Sequence, residues 1–286
     1  MTDMFVQRPK AQLYTEALGQ PLRGTILLAM GATASMAWWP QRFIANLAEA
    51  GFRVISFDHR DTGRSTLNAP GAPNYDVADL VEDLIAILDA YEVSTAHVIG
   101  MSLGGLVAQI AALQQPTRVS TLTLYAAEPL GNAYDGAGMP PEIMEHFGGI
   151  NTLDWNSREA VTAFLLRIAE LSSASGRPFD REAALDRIGR ELDHTSNMRS
   201  AFNHAMLAGN IDPELKAQNI TQPTLPIHGG EDPLIPVTAA RKTFELVQGS
   251  ELTILDHVGH ELTPADVPTV TKAILGFMNK ATDVRN

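Results

Sequence analysis

The 286-residue chain contains no cysteine. That absence excludes disulfide frameworks, thiolate nucleophiles and cysteine-based zinc sites, and it fits a cytoplasmic setting. Long hydrophobic runs are missing too. The most apolar stretch, Thr25–Met30, is cut by Gly31, far short of the roughly 20 residues a spanning helix needs. Met1–Lys10 lacks the apolar region of a signal peptide. Cations are in the minority, with a net charge of −12. A surface of that sign repels phosphate backbones and anionic lipid, so neither nucleic acid nor membrane is an expected partner. A small molecule is the expected partner, and a homodimer is left open. Cofactor and metal motifs are likewise absent. His260-Glu261-Leu262-Thr263-Pro264 is not H-E-x-x-H, no phosphate-binding G-x-x-x-x-G-K-[ST] occurs, and Gly100, Gly104 and Gly105 do not spell G-x-G-x-x-G. No cofactor and no metal are expected.

What is present is a folded composition: 45% hydrophobic and 19% charged. A chain of this size buries about 75% of the surface its unfolded form exposes. One large core with an inserted lobe therefore fits better than two equal domains. Short apolar runs at Thr25–Met30, Phe52–Phe57, Ala96–Ile99 and Leu122–Tyr125 read as strands buried on both faces. Amphipathic helices alternate with them. One opens at Pro40 and stops at Gly51, one carries Val77, Leu80, Val81, Leu84 and Leu88, and one runs from Leu103 toward Pro116. The pattern resumes with strands at Pro223–His228 and Leu252–Leu255. A closing helix follows, with Thr263 as its expected N-cap and Pro264 at its first position. This alternation predicts an α/β fold with a mostly parallel central sheet flanked by helices. Residues from Glu128 to about Asn210 break it with helical patterns and no convincing strand. The expected organisation is a core over residues 1–127, a helical cap over 128–210, and the rest of the core over 211–286.

Gly100-Met101-Ser102-Leu103-Gly104 is a G-x-S-x-G sequence between a strand and a helix. That context makes it a nucleophile elbow, with the Ser102 hydroxyl at the tip of a sharp turn. The alternative is an ordinary N-capping serine. A serine hydroxyl needs a base, and in this architecture the acid and then the histidine follow the nucleophile in the chain. His260 follows the last strand, with His257 as its rival. Asp232, in Gly229-Gly230-Glu231-Asp232-Pro233, is placed to orient the imidazole, with Glu128 and Asp256 as rivals. Backbone N–H groups of Ala32 and Leu103 are the expected oxyanion hole. Gly31, Trp38, Trp39 and Met101 are the expected substrate-binding residues, although packing beneath the cap explains at least one tryptophan as well. Asp58–Ser65 reads as a hydrogen-bonded loop beside the site.

These motifs resemble the α/β-hydrolase superfamily over nearly the whole chain. Its Gly-x-Gly-x-Ser loop is matched by Asp61-Thr62-Gly63-Arg64-Ser65, with Asp61 where glycine is commoner. Together with Met30-Gly31, where His-Gly is usual, the Asp58–Ser65 loop resembles the aclacinomycin methylesterase group. That resemblance implies a serine esterase with Ser102, Asp232 and His260 as triad, acting on a small hydrophobic or polyketide-like methyl ester. Carbon–carbon bond hydrolysis, lactone opening and cofactor-free perhydrolysis use the same triad. A ligand-binding receptor with a vestigial triad is a further alternative.

Overall fold

The computed structural model describes residues 2–136, 138–207 and 211–283. Five parallel strands form the centre: β3 (Thr25–Ala29), β4 (Arg53–Phe57), β5 (Ala96–Met101), β6 (Val119–Tyr125) and β7 (Thr224–Gly229). The short β8 (Thr253–Leu255) adds a parallel edge. Each of these starts and stops within three residues of its expected run. Preceding them is a hairpin that hydropathy alone does not reveal, β1 (Thr2–Arg8) and β2 (Ala11–Leu18), turned at Pro9 and left-handed Lys10 (φ 63°). Its outer strand buries only Val6, so it carries almost no apolar signal. The sheet order is β1-β2-β4-β3-β5-β6-β7-β8, antiparallel at β1–β2 and β2–β4 and parallel elsewhere.

Helices cover both faces. On one lie α2 (Val77–Ala90) and α3 (Leu103–Gln114), whose Leu80, Leu84, Val107 and Ile110 pack on Leu27 and Val98. Asp76 starts α2 with a capping box completed by Asp79. The other face carries α1 (Gln41–Glu49), with Phe43 and Leu47 one turn apart, and the final helix, Val267–Asp283. That last helix begins three residues later than expected. Thr263 does not cap it; its hydroxyl donates to Asp266 (2.7 Å), whose carbonyl accepts the Val270 N–H. Pro264 belongs to the preceding turn.

Between β6 and β7 the described residues form no strand, and their α-helices are α4 (Pro141–Gly148), α5 (Arg158–Leu171), α6 (Arg181–His194) and the short α7 (Met198–Ala201). They bury a cluster of their own, with Phe164, Leu165, Ile188 and Phe202 at its centre. The expected cap boundary at residue 210 lies outside the described residues. Beyond β7 lie α8 (Thr238–Leu246) and the final helix, α9 (Val267–Asp283). Among the described residues no helix is long and apolar enough to cross a membrane.

Candidate active site

Parallel strands all end at one edge of the sheet, and the loops leaving that edge carry the candidate residues. Ser102 sits between β5 and α3 in a left-handed conformation (φ 48°, ψ −114°) that non-glycine residues seldom adopt. Its N–H donates to the Tyr125 carbonyl (3.0 Å), which pins the turn to the tip of β6. The turn is tight enough that a side chain at Gly104 would collide with the Ala29 carbonyl, and one at Gly100 with Gly104 itself. Although Ser102 occupies the cap position of α3, its hydroxyl caps nothing. It is therefore not spent as an ordinary N-cap.

His260 follows β8. Its N–H donates to the Ser172 carbonyl (2.9 Å), just past α5. Imidazole Nδ1 meets Asp232 Oδ2 at 2.8 Å, so Nε2 is the nitrogen available to a group in the cavity. Asp232 is buried and fully engaged. Its Oδ1 accepts the N–H groups of Leu234 (2.8 Å) and Ile235 (3.0 Å), and His228 Nε2 lies 3.2 Å from Oδ2. Burial alone would raise the Asp232 pKa. The His260 charge and hydrogen bonds from His228 and His260 outweigh it and hold the carboxyl well below its usual range. Burial alone would lower the His260 pKa, but Asp232, with a smaller contribution from Glu261, raises it above the ordinary imidazole value. The two shifts run in opposite directions, carboxyl down and imidazole up, as they must when each group stabilises the charge of the other.

The rivals are elsewhere. His257 is exposed and pairs with Glu231 (2.6 Å). Glu128 lies at the cavity, but its carboxylate accepts the Tyr134 hydroxyl and does not meet His260. Asp256 is exposed.

Gly31, Ala32, Trp38, Met101, Ser102 and His260 line one cavity of about 690 Å³. Ser102 and His260 share it without a direct hydrogen bond among the described residues. Catalytic contacts often tighten only when substrate is bound. Asp232 does not line the cavity and stands behind the imidazole. Trp39, expected at this wall, is a correction: it is buried on the other side, stacked on Phe43 with ring centroids 5.7 Å apart. Consecutive residues leaving a short helical turn point to different sides, and only Trp38 faces the cavity. Leu103 lines a neighbouring groove of about 480 Å³ that also reaches Ser102. Among the described residues neither the Ala32 N–H nor the Leu103 N–H has a protein acceptor, so both remain free to meet an anion. A side chain at Gly31 would come within van der Waals reach of Ser102 Cβ (3.4 Å), which places this loop against the serine.

Buried hydrogen bonds hold that loop. The Thr33 N–H donates to His204 Nδ1 (3.1 Å), and His204 Nε2 donates to the Arg60 carbonyl (2.8 Å). Burial lowers the His204 pKa, which keeps Nδ1 unprotonated and able to accept. Glu191 on α6 accepts both the N–H and the hydroxyl of Ser35 (3.2 and 2.6 Å). Asp58 accepts the N–H groups of Met36 and Arg64, each at 2.9 Å, and His194 Nε2 at 2.8 Å. None of these ties is visible in the sequence motifs. A faint signal is the spacing of Arg187, Glu191 and His194 along one face of α6. Among the described residues no cluster suited to a metal ion occurs.

The model of the α/β-hydrolase fold family matches residues 24–263. The chain belongs to that family. It is 29% identical to rhodomycin D methylesterase DnrP of Streptomyces peucetius, over 99% of this chain and 100% of that protein. It is also 31% identical to RutD of Variovorax paradoxus, a candidate carbamate hydrolase, over 93% of this chain and 96% of that one. Among solved structures, an esterase from Exiguobacterium antarcticum superposes with a TM-score of 0.79 at 20% identity. The match covers 97% of this chain and all of the other. At that identity the likeness is one of fold.

Proposed function

We propose that the chain is a serine carboxylic-ester hydrolase. The observation that carries this reading is the buried His260–Asp232 pair opening onto the cavity where Ser102 stands uncapped at its elbow. His260 Nε2 takes the Ser102 proton as the hydroxyl attacks the ester carbonyl. Ala32 and Leu103 N–H groups hold the oxyanion, helped by the positive end of α3. The imidazolium, stabilised by Asp232, returns the proton to the departing alkoxide. Water then attacks the acyl-enzyme by the same route in reverse.

The cavity's walls indicate the substrate. Met30, Met101, Met139, Met144 and Met198 line it, and neither Lys nor Arg does among the described residues. Methionine adapts to irregular apolar shapes and makes favourable contacts with aromatic rings. A bulky, hydrophobic ester without a carboxylate fits these walls, and the methylesterase name of DnrP is consistent with a methyl ester. The helical segment acts as the cap over this site, extending from residue 128 toward 210. A second reading is carbamate hydrolysis on the same residues, favoured by the likeness to RutD.

Steady-state hydrolysis of methyl and p-nitrophenyl esters beside a carbamate panel, with Ser102→Ala as control, tests the choice. Ester turnover that vanishes in the variant is expected. Turnover of carbamates alone, or ester turnover that survives in Ser102→Ala, would overturn it.

A further inference from the structure

Arg187 on α6 is 4% exposed, and a guanidinium that deep must be paired. Its Nη2 donates to Glu261 Oε2, and its guanidinium carbon lies over the Trp38 ring, 4.5 Å from the ring centre. The Trp38 side chain also lies beside Glu261 and favours its charged form. Three side chains thus close a triangle joining three separate segments: α6, the turn that carries His260, and the loop that continues from Ala32. Glu261 is one peptide bond from His260 and lines the same cavity as Ser102. The aliphatic alternatives at position 187 could fill the space but could not bind a carboxylate and cover an indole at once.

Resting on the proposed role of His260, we infer that Arg187 is a positioning residue, aiming the imidazole through Glu261 and fixing the Trp38 wall beside the oxyanion loop. On the exposed side of the turn after β8, Asp256 faces solvent and His257 pairs with Glu231. Within it, the His260 backbone is tied to Ser172 and the Glu261 side chain to Arg187, so the backbone that carries the imidazole is anchored at both residues. The charges that face Glu261 are Arg187 from α6, His260 from its own turn, and the Tyr125 hydroxyl from β6, beside which lies the Arg177–Asp266 pair. Those that face His260 are Asp232 and Glu261. Removing the Glu261 charge therefore lowers the affinity of His260 for its proton.

The test is the pH dependence of Ser102 modification by phenylmethylsulfonyl fluoride, which needs the serine and its base but no particular substrate. Hydrolysis of p-nitrophenyl acetate is followed alongside. Arg187→Met is expected to slow both on the order of tenfold, because small misplacements of a reacting group are costly. Arg187→Lys, which keeps the charge without the fork, recovers part of the loss. Glu261→Gln moves the acid limb of the modification rate to lower pH, a change that mere loss of packing would not produce. A folded Arg187→Met with the wild-type rate overturns the inference. Should Arg187→Met fail to fold, Arg187→Lys decides: a modification rate below wild type supports it and the wild-type rate overturns it. Wild-type protein that is modified at Ser102 yet hydrolyses no ester defeats the esterase reading alone, and the modification series still judges Arg187. Wild-type protein that is not modified at all defeats both.

Discussion

In the sheet, β3, β5 and β6 bury Ile26, Leu27, Leu28, Val98 and Leu122 from both faces, whereas α6 turns Arg187, Glu191 and His194 toward the loops at the sheet's edge. Both regions belong to the site, but they are held differently. Backbone ladders and close-packed apolar side chains fix the tips of β5 and β7, and with them Ser102 and Asp232. Dispersion and burial are insensitive to direction, so precision there comes from the ladder. The seam between the helical segment and the core is instead crossed by hydrogen bonds that each involve an ionisable group: Arg187 to Glu261, Glu191 to Ser35, His194 to Asp58, and Arg177 to Asp266. Such contacts specify geometry closely, depend on protonation, and leave an expensive unpaired partner when one side is removed. On the proposed reading, the sheet supplies the chemistry and the polar seam supplies its alignment.

Substitutions on the two sides separate these contributions. The largest effect is expected at the sheet's edge. Ser102→Ala should lower kcat by about 10⁶, as nucleophile deletions do in serine proteases, with an unchanged melting temperature. A residual rate above a hundredth of wild type would remove Ser102 from the chemistry. Next is the acid. Asp232→Asn should cost roughly 10⁴ in kcat by leaving the imidazole in the wrong tautomer, while Glu128→Gln should cost only a few-fold, by analogy with an exposed charge. A larger loss in Glu128→Gln would reverse the assignment.

On the seam the effects are smaller and fall on stability as well as rate. Glu191→Leu leaves the Ser35 N–H and hydroxyl without their acceptor, and should destabilise by about 2–3 kcal/mol. Urea unfolding measures this, and an unchanged midpoint would show that the seam does not carry stability. The smallest effect concerns pH. Burial and Arg64 would lower the His194 pKa, but Asp58, with a lesser contribution from Glu191, raises it above the ordinary imidazole value. A raised histidine pKa means that this contribution is fully present below the unfolded value and fades as pH rises through the folded one. Amide exchange in α6 should therefore quicken from near pH 6.5 upward, and His194→Gln should flatten that slope. Equal slopes in the two proteins would exclude His194 as the cause.

Much of this was legible from residues alone, and the physical reason is periodicity. The central strands announce themselves because burial on both faces requires continuous apolar runs, and Gly100–Gly104 announces the elbow because close backbone approach requires glycine. Order along the chain brought Asp232 and His260 forward as partners but left Glu128, Asp256 and His257 as rivals, which side-chain geometry separates. The first hairpin was not legible, since an edge strand such as β1 buries little and shows no run. Trp38 and Trp39 looked alike because neighbours in a tight turn differ only in direction. The polar seam was invisible for another reason: α6 reads as a solvated helix, and its partners lie 74 residues away at Glu261, 136 at Asp58 and 156 at Ser35. Sequence distance of that order carries no periodic signal.

The central claim is that Ser102 forms an acyl-enzyme with the help of His260. Rapid quenching of the protein with a p-nitrophenyl ester, followed by peptide mass spectrometry, tests it most directly. One acyl group on the peptide containing Ser102 is expected, absent in Ser102→Ala and strongly reduced in His260→Ala. Ester turnover with no adduct, or with the acyl group on another residue, would contradict it.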